Sequence, residues 1–193
     1  MTQFSIIFLL ILCADSGLKL WLNLRQKHAI HKSFNQVPVP FDQHITLEEH
    51  QKAARYNLAK LTENRYELAY SALLVLIFTL GGGIDWIAQS FNLANYPLTS
   101  EVLLIVIYTL LNSLLALPFS YYSTFKIEQR FGFNNTTLKL FIVDLIKGTL
   151  LGLVIGVPLL YLVMWLMNNL GNQWWLWVWG VLVVFNLLIL IIY

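Results

Sequence analysis

Five long apolar stretches constrain this chain more than any other feature: residues 4–24, 68–88, 102–122, 138–166 and 174–193. A helix needs about 20 mainly apolar residues, at 1.5 Å each, to cross the hydrocarbon of a bilayer. Each stretch is continuous rather than alternating and is far longer than a barrel strand requires, which excludes a transmembrane β-barrel. Composition agrees. Charged residues make up 11% and apolar residues 58%, against roughly 25% and 45–50% in soluble domains, and mean hydropathy is +0.66. A domain of 193 residues cannot hide that much apolar surface inside itself, so lipid must cover part of it. The expected fold is all-α: a polytopic membrane helix bundle of about five spans, forming one membrane domain over 1–193. The second stretch is the weakest, because Gly81-Gly82-Gly83 and Asp85 interrupt it.

Orientation follows from the basic residues. Arg25, Lys27, Lys32, Lys52, Arg55, Lys60 and Arg65 fall between spans one and two, and Lys126 and Arg130 between spans three and four, with Lys139 close by. The connections at 89–101 and 167–173 hold no lysine or arginine. Lys19 and Lys147 lie inside spans, each nearer its basic end. All positive charge thus falls on one side, which places the N-terminus outside and the C-terminus in the cytoplasm. The basic residues form no long stripe, so nucleic acid is not an expected partner; the lipid bilayer is. Cys13 is the single cysteine, which excludes an intrachain disulfide.

The long cytoplasmic connection, 25–67, contains Pro38 and Pro40, which predict an extended stretch. Thr46-Leu47-Glu48-Glu49 then reads as a capping box. Leu47, Ala54, Leu58 and Leu61 recur at helical spacing after it, predicting an amphipathic helix that runs toward span two. Such a helix lies against the bilayer or neighbouring helices, or presents a docking surface to a partner.

Within the spans, Gly148, Gly152 and Gly156 form a GxxxGxxxG stripe suited to close helix packing. Pro158 predicts a bend, and Trp174, Trp175, Trp177 and Trp179 an interfacial aromatic belt. Asp15, Lys19, Asp85, Asp144 and Lys147 are the charged candidates in or near spans, where charge is costly. Asp15 and Lys19 are spaced i,i+4 and Asp144 and Lys147 i,i+3, so each pair is either structural or part of a pathway. Asn112 and Asn186 either bridge helices or line a polar cavity.

No residues amount to an active site when read alone. The four histidines, His28, His31, His44 and His50, all sit in the first connection and none forms H-E-x-x-H, the spacing that puts two zinc ligands on one helix face. There is no G-x-S-x-G elbow and no P-loop. Neither catalytic, cofactor-binding nor metal-ligating residues are therefore assigned.

The segment Ser123-Thr124-Phe125-Lys126-Ile127-Glu128-Gln129-Arg130-Phe131-Gly132-Phe133-Asn134-Asn135-Thr136-Thr137 resembles the type I CAAX prenyl proteases, which are integral membrane zinc metalloendopeptidases. It is similar to their loop F-x-I-E-x-x-[FH]-G-F-N-x-T through Phe125, Ile127, Glu128, Gly132, Phe133, Asn134 and Thr136. Leu117-Pro118-Phe119-Ser120, Val37-Pro38, Leu47-Glu48-Glu49-His50-Gln51-Lys52-Ala53-Ala54 and Leu145-Ile146-Lys147-Gly148 resemble the flanking parts of the family's N-terminal five-helix membrane domain. The resemblance implies a chamber enclosed by membrane helices, membrane-associated or prenylated peptides as substrates, and zinc held by a catalytic domain after the fifth span. Its zinc motif has no counterpart up to Tyr193, so zinc is expected only with that further domain, and this chain alone is expected to be inactive. The compact loops look like the bacterial branch, implying an inner membrane. The alternative is a standalone, non-catalytic membrane protein that binds lipidated or amphipathic clients or regulates a full-length relative. A small transporter ranks last, because five spans do not divide into equal repeats.

Overall fold

The computed structural model describes residues 2–39, 41–91 and 97–192, and among them every regular element is helical. Pro40, Tyr193 and the middle of the 89–101 connection lie outside the described residues. Helix α1 is Gln3–Lys32, α2 Leu47–Thr79, α3 Gly83–Ser90 and α4 Pro97–Tyr122. A π-helical segment, Ser123–Glu128, leads into the short α5, Gln129–Phe131; α6 is Leu138–Asn169, and α7 is Trp174–Ile192. Four helices are long and apolar enough to span a membrane, or five if α2 and α3 count as one broken span. In those four, at most 6% of the apolar window is buried. Apolar surface left this bare is stable only against lipid or another apolar partner. The protein is an integral membrane protein with the fold of a polytopic helical bundle.

Local sequence explains where the helices begin and end. Thr2 caps α1, its hydroxyl accepting from the Ser5 amide at 3.3 Å. The helix continues past the apolar run to Lys32 because Arg, Gln, Lys and Ala are good helix formers, and its last turn carries His31 and Lys32, where cations favour the dipole. The Thr46–Glu49 capping box forms as spaced: Thr46 N donates to Glu49 Oε2 at 2.9 Å, and Glu49 N to Thr46 Oγ1 at 3.3 Å. From there α2 is one continuous helix into the apolar segment. Ala54 is buried, Leu58 and Leu61 are half-buried, and Leu47 is exposed.

The connection before α2 has turns on either side of Val37 and Pro38, with Gln36 N bonded to Ser33 O and Phe41 N to Pro38 O, while Pro40 lies outside the described residues. His50 helps close it, its Nε2 lying 2.8 Å from Ser33 O.

The helices group into two compact units, Met1–Gly83 with Ser113–Thr136, and Ile84–Asn112 with Thr137–Tyr193. In the first, α1 packs on α2. The glycine run that ends α2 is sterically required. An added Cβ would lie 2.6 Å from Ile77 O at Gly81 and 2.9 Å from Phe78 Cα at Gly83, while Gly82 has φ +75°. In the second unit α6 packs on α7. Ile87, Val102 and Leu166 are its buried apolar residues, and Thr99 and Tyr161 hydroxyls lie 3.4 Å apart. Helix α6 continues through Pro158 without interruption. Trp175, Trp177 and Trp179 stand exposed at the start of α7, as an interfacial belt requires.

Candidate functional site

Polar residues on α2 fall at a strict helical spacing. Asn57, Lys60, Asn64, Glu67 and Ser71 are three or four residues apart, so they occupy one face. Lys19, Asn23 and Gln26 do the same on α1. At the end of α4 and in the π segment, Ser120, Ser123 and Thr124 add hydroxyls. The three polar stripes line one cleft of about 960 Å³ within the first unit.

Lys60 joins the walls of this cleft. Its ammonium donates to Ser123 Oγ and to Glu128 Oε1, the latter at 3.2 Å, and lies 3.7 Å from Glu63 Oε2. Glu63 is buried, with 8% exposure, so a nearby cation offsets much of the cost of keeping its carboxylate out of water. The π segment that presents Ser123 and Glu128 begins five residues after Pro118, which lies inside α4 and has no amide proton for the helical ladder. π turns of this kind recur at functional positions.

Asn23 ties α1 to α2. Its Nδ2 donates to Leu61 O at 2.9 Å and to Asn64 Oδ1 at 3.3 Å, and the side chain is 5% exposed. Interhelical bonds of this type contribute about 0.6–2 kcal/mol each in a membrane.

The loop motif has a structural reading residue by residue. Phe125 lies against Tyr121, ring centroids 4.9 Å apart; Ile127 is buried; Glu128 accepts from Lys60. Gly132 has φ +79° and ends the helix, with Phe133 N bonded back to Glu128 O at 2.9 Å; an L residue with a side chain is strained there. Phe133 and Phe131 pack edge-on against Tyr56 at 4.9 and 5.5 Å, and Lys52 Nζ lies 5.5 Å from the Phe133 ring centre. Asn134 Oδ1 accepts from the Thr136 amide at 2.6 Å, closing the turn before Thr137 caps α6. The motif therefore docks the end of the third span onto α2.

The charged candidates divide. Asp15 and Lys19 form an ion pair at 2.7 Å with both side chains about half exposed. Lys19 lines the cleft. Among the described residues no ion pair joins Asp144 to Lys147; both are exposed, as is Asp85. Spacing of i,i+3 permits a pair without enforcing one. Among the described residues no heavy atom lies within 4 Å of a Cβ built at Gly148, Gly152 or Gly156, so an added methyl there would meet open space. Among the described residues the Asn112 and Asn186 side chains form no hydrogen bond to another helix and are not on the cleft lining. Each donates to a carbonyl one turn back in its own helix, Tyr108 O at 3.2 Å and Leu182 O at 2.8 Å, the partner always within reach of a lone amide in an apolar helix.

Sequence spacing alone assigns Lys60, Glu63, Asn23 and Asn64 no role beyond cytoplasmic charge or helix surface. The i,i+3/i+4 stripe on α2 was the available signal, and its weight comes only from the facing walls. Among the described residues no three histidine, cysteine or carboxylate side chains converge, and His50 Nε2 lies against Ser33 O.

Bare apolar helices of spanning length, with a polar cleft inside the first unit, define a class, the polytopic α-helical membrane domain. The chain belongs to the family described as CAAX prenyl protease N-terminal, five membrane helices, which it matches over residues 26–193. It is 31% identical over 204 residues to the CAAX prenyl protease 1 homolog of Dictyostelium discoideum, covering 100% of this chain and 46% of that relative. The Caenorhabditis elegans homolog is 30% identical over 192 residues, covering 98% and 42%. The crystal structure of S. mikatae Ste24p superimposes with a TM-score of 0.88 at 25% identity, covering 100% of this chain and 46% of that one. The chain thus spans less than half the length of these relatives.

Proposed function

We propose that this chain is the chamber-forming membrane domain of a CAAX-prenyl-protease-like zinc metallopeptidase, and that it lacks the catalytic zinc motif. The observation that carries the reading is the cleft: α1, α2 and the π segment bring polar stripes together within a chain whose spanning helices are otherwise bare and apolar. Such a surface suits helices that meet lipid on one side and water on the other. Zinc, held by a further domain, would supply the hydrolytic chemistry. The residues of this chain would admit and orient membrane-associated or prenylated peptides. The basic connections support an N-terminus outside and a C-terminus in the cytoplasm. A bacterial inner membrane is the proposed location; compact loops favour it, while the eukaryotic sources of the relatives above count against it.

The test is the intact mass of the native protein captured from source membranes. A product near twice the 22.3 kDa of this chain is expected. A product of 22.3 kDa would overturn the reading and leave the standalone client-binding or regulatory protein in its place.

A further inference from the structure

The end of α1 carries charge that the cleft does not use. Asn23 turns one side of this helix to α2, bonding to Leu61 O and Asn64 Oδ1. At about 100° per residue, Leu18, Trp21, Arg25, His28 and Lys32 all fall within roughly 40° of the line opposite Asn23. They form one face turned away from α2, and all five are exposed, Trp21 at 54%. The face is apolar toward the middle of the helix and basic toward its end. Between the two, the Arg25 guanidinium lies 5.4 Å from the centre of the Trp21 ring. That contact holds a cation at the depth where amphipathic tryptophan settles, the edge of the hydrocarbon.

No carboxylate balances this patch. The sequence has no acidic residue between Asp15 and Asp42. Asp15 is paired with Lys19 at 2.7 Å and lies about 100° round the helix from the face. Among the described residues the Arg25, His28 and Lys32 side chains form no ion pair and no hydrogen bond. From Arg25 to Lys32 the helix rises about 10 Å, enough to cross a headgroup layer of about 5–8 Å.

We infer that this face binds an anionic phospholipid. The phosphate sits between Arg25 and His28, which are neighbours on the helix surface. His28 donates a ring N–H in either protonation state, and Lys32 attracts from one turn beyond. Leu18 and Ala14, both exposed, continue the face into the bilayer as apolar surface for the acyl chains. Because Trp21 already restrains Arg25, less side-chain freedom is lost on binding than for an unrestrained arginine. A zwitterionic headgroup is a poorer match, since its own cation meets Arg25 and Lys32. Nucleic acid needs a longer basic track than these three residues. The inference depends on α1 as a membrane span and not on the chamber.

The test uses this chain in nanodiscs of equal parts phosphatidylcholine and phosphatidylglycerol, with native mass spectrometry counting the lipids each protein keeps. The parent is expected to retain phosphatidylglycerol preferentially. Arg25→Gln/Lys32→Gln should lose about tenfold of that preference, because each cation near a headgroup contributes several-fold. Trp21→Leu, which frees Arg25, should lose about threefold. Lys126→Gln/Lys139→Gln removes the same charge elsewhere and should leave the preference in place. A photoactivatable phosphatidylglycerol, reactive just below its headgroup, should crosslink to the parent within residues 14–32; this map needs no variant. Equal retention of the two lipids, an equal loss in Lys126→Gln/Lys139→Gln, or crosslinks only outside 14–32 would overturn the proposal.

Discussion

Replacing Lys60 by methionine keeps the length of the side chain and removes its charge. Three contacts go with it: Ser123 Oγ, Glu128 Oε1 at 3.2 Å and Glu63 Oε2 at 3.7 Å. A fully buried pair broken on one side costs about 3–5 kcal/mol. Here the Lys60 and Glu128 side chains are 32% and 30% exposed, against 7% for Glu63, so solvent screens the Glu128 part. The remaining cost, chiefly Glu63 left without a cation plus one lost hydrogen bond, comes to about 1.5–3 kcal/mol. For a chain of this size that lowers the thermal midpoint by roughly 5–10 °C. The assay is thermal unfolding in nanodiscs for Lys60→Met, Glu63→Leu and the double variant. If Lys60 serves mainly to neutralise Glu63, the double variant recovers at least about half of the single loss, since an apolar pair of similar volume needs no partner. A Lys60→Met protein that melts within about 1 °C of the parent, or losses that add in the double variant, would refute this account.

The other predictions concern glycine, acid and tryptophan. Gly81→Ala should destabilise by about 1–3 kcal/mol, because its Cβ would meet Ile77 O at 2.6 Å. Gly152→Ala should be neutral or stabilise by up to about 1 kcal/mol in the same melting assay, through helix propensity alone; a loss there would mean that another helix packs on the stripe. The Glu49 carboxyl is held below the ordinary glutamate range by the Thr46 amide first and the Thr46 hydroxyl second. A lowered folded value means that its contribution is complete above the unfolded glutamate value and is lost as pH falls through the folded one. Amide protection in the first turn of α2 should therefore fall only in acid, and Glu49→Gln should flatten that pH dependence. Brominated lipids should quench Trp175, Trp177 and Trp179 most strongly when the bromines sit near the headgroups; strongest quenching from the bilayer centre would contradict an interfacial belt.

Much of the architecture depends on interactions within a turn or two of chain, and those were legible in the sequence. Apolar runs of spanning length are read directly along the chain, and the Thr46–Glu49 capping box, the Asp15–Lys19 pair and the break at Gly81-Gly82-Gly83 involve residues at most four apart, whose geometry is set once a helix forms. The specific loop around Phe125–Thr136 pointed to the family, and Glu128 and Phe133 of the motif reach α2, while Gly132, Asn134 and Thr136 shape the turn that follows. Tertiary structure alone brought Lys60 to Ser123 and Glu128, 63 and 68 residues away, and Asn23 to Leu61 and Asn64. It also decided the reverse cases: Asn112 and Asn186 donate within their own helices, and among the described residues nothing lies within 4 Å of a Cβ built on the Gly148–Gly152–Gly156 stripe. The physical reason is the same throughout. Spacing states which residues share a face, but what that face meets depends on how separate helices pack, and in lipid no difference in apolarity tells one such face from another.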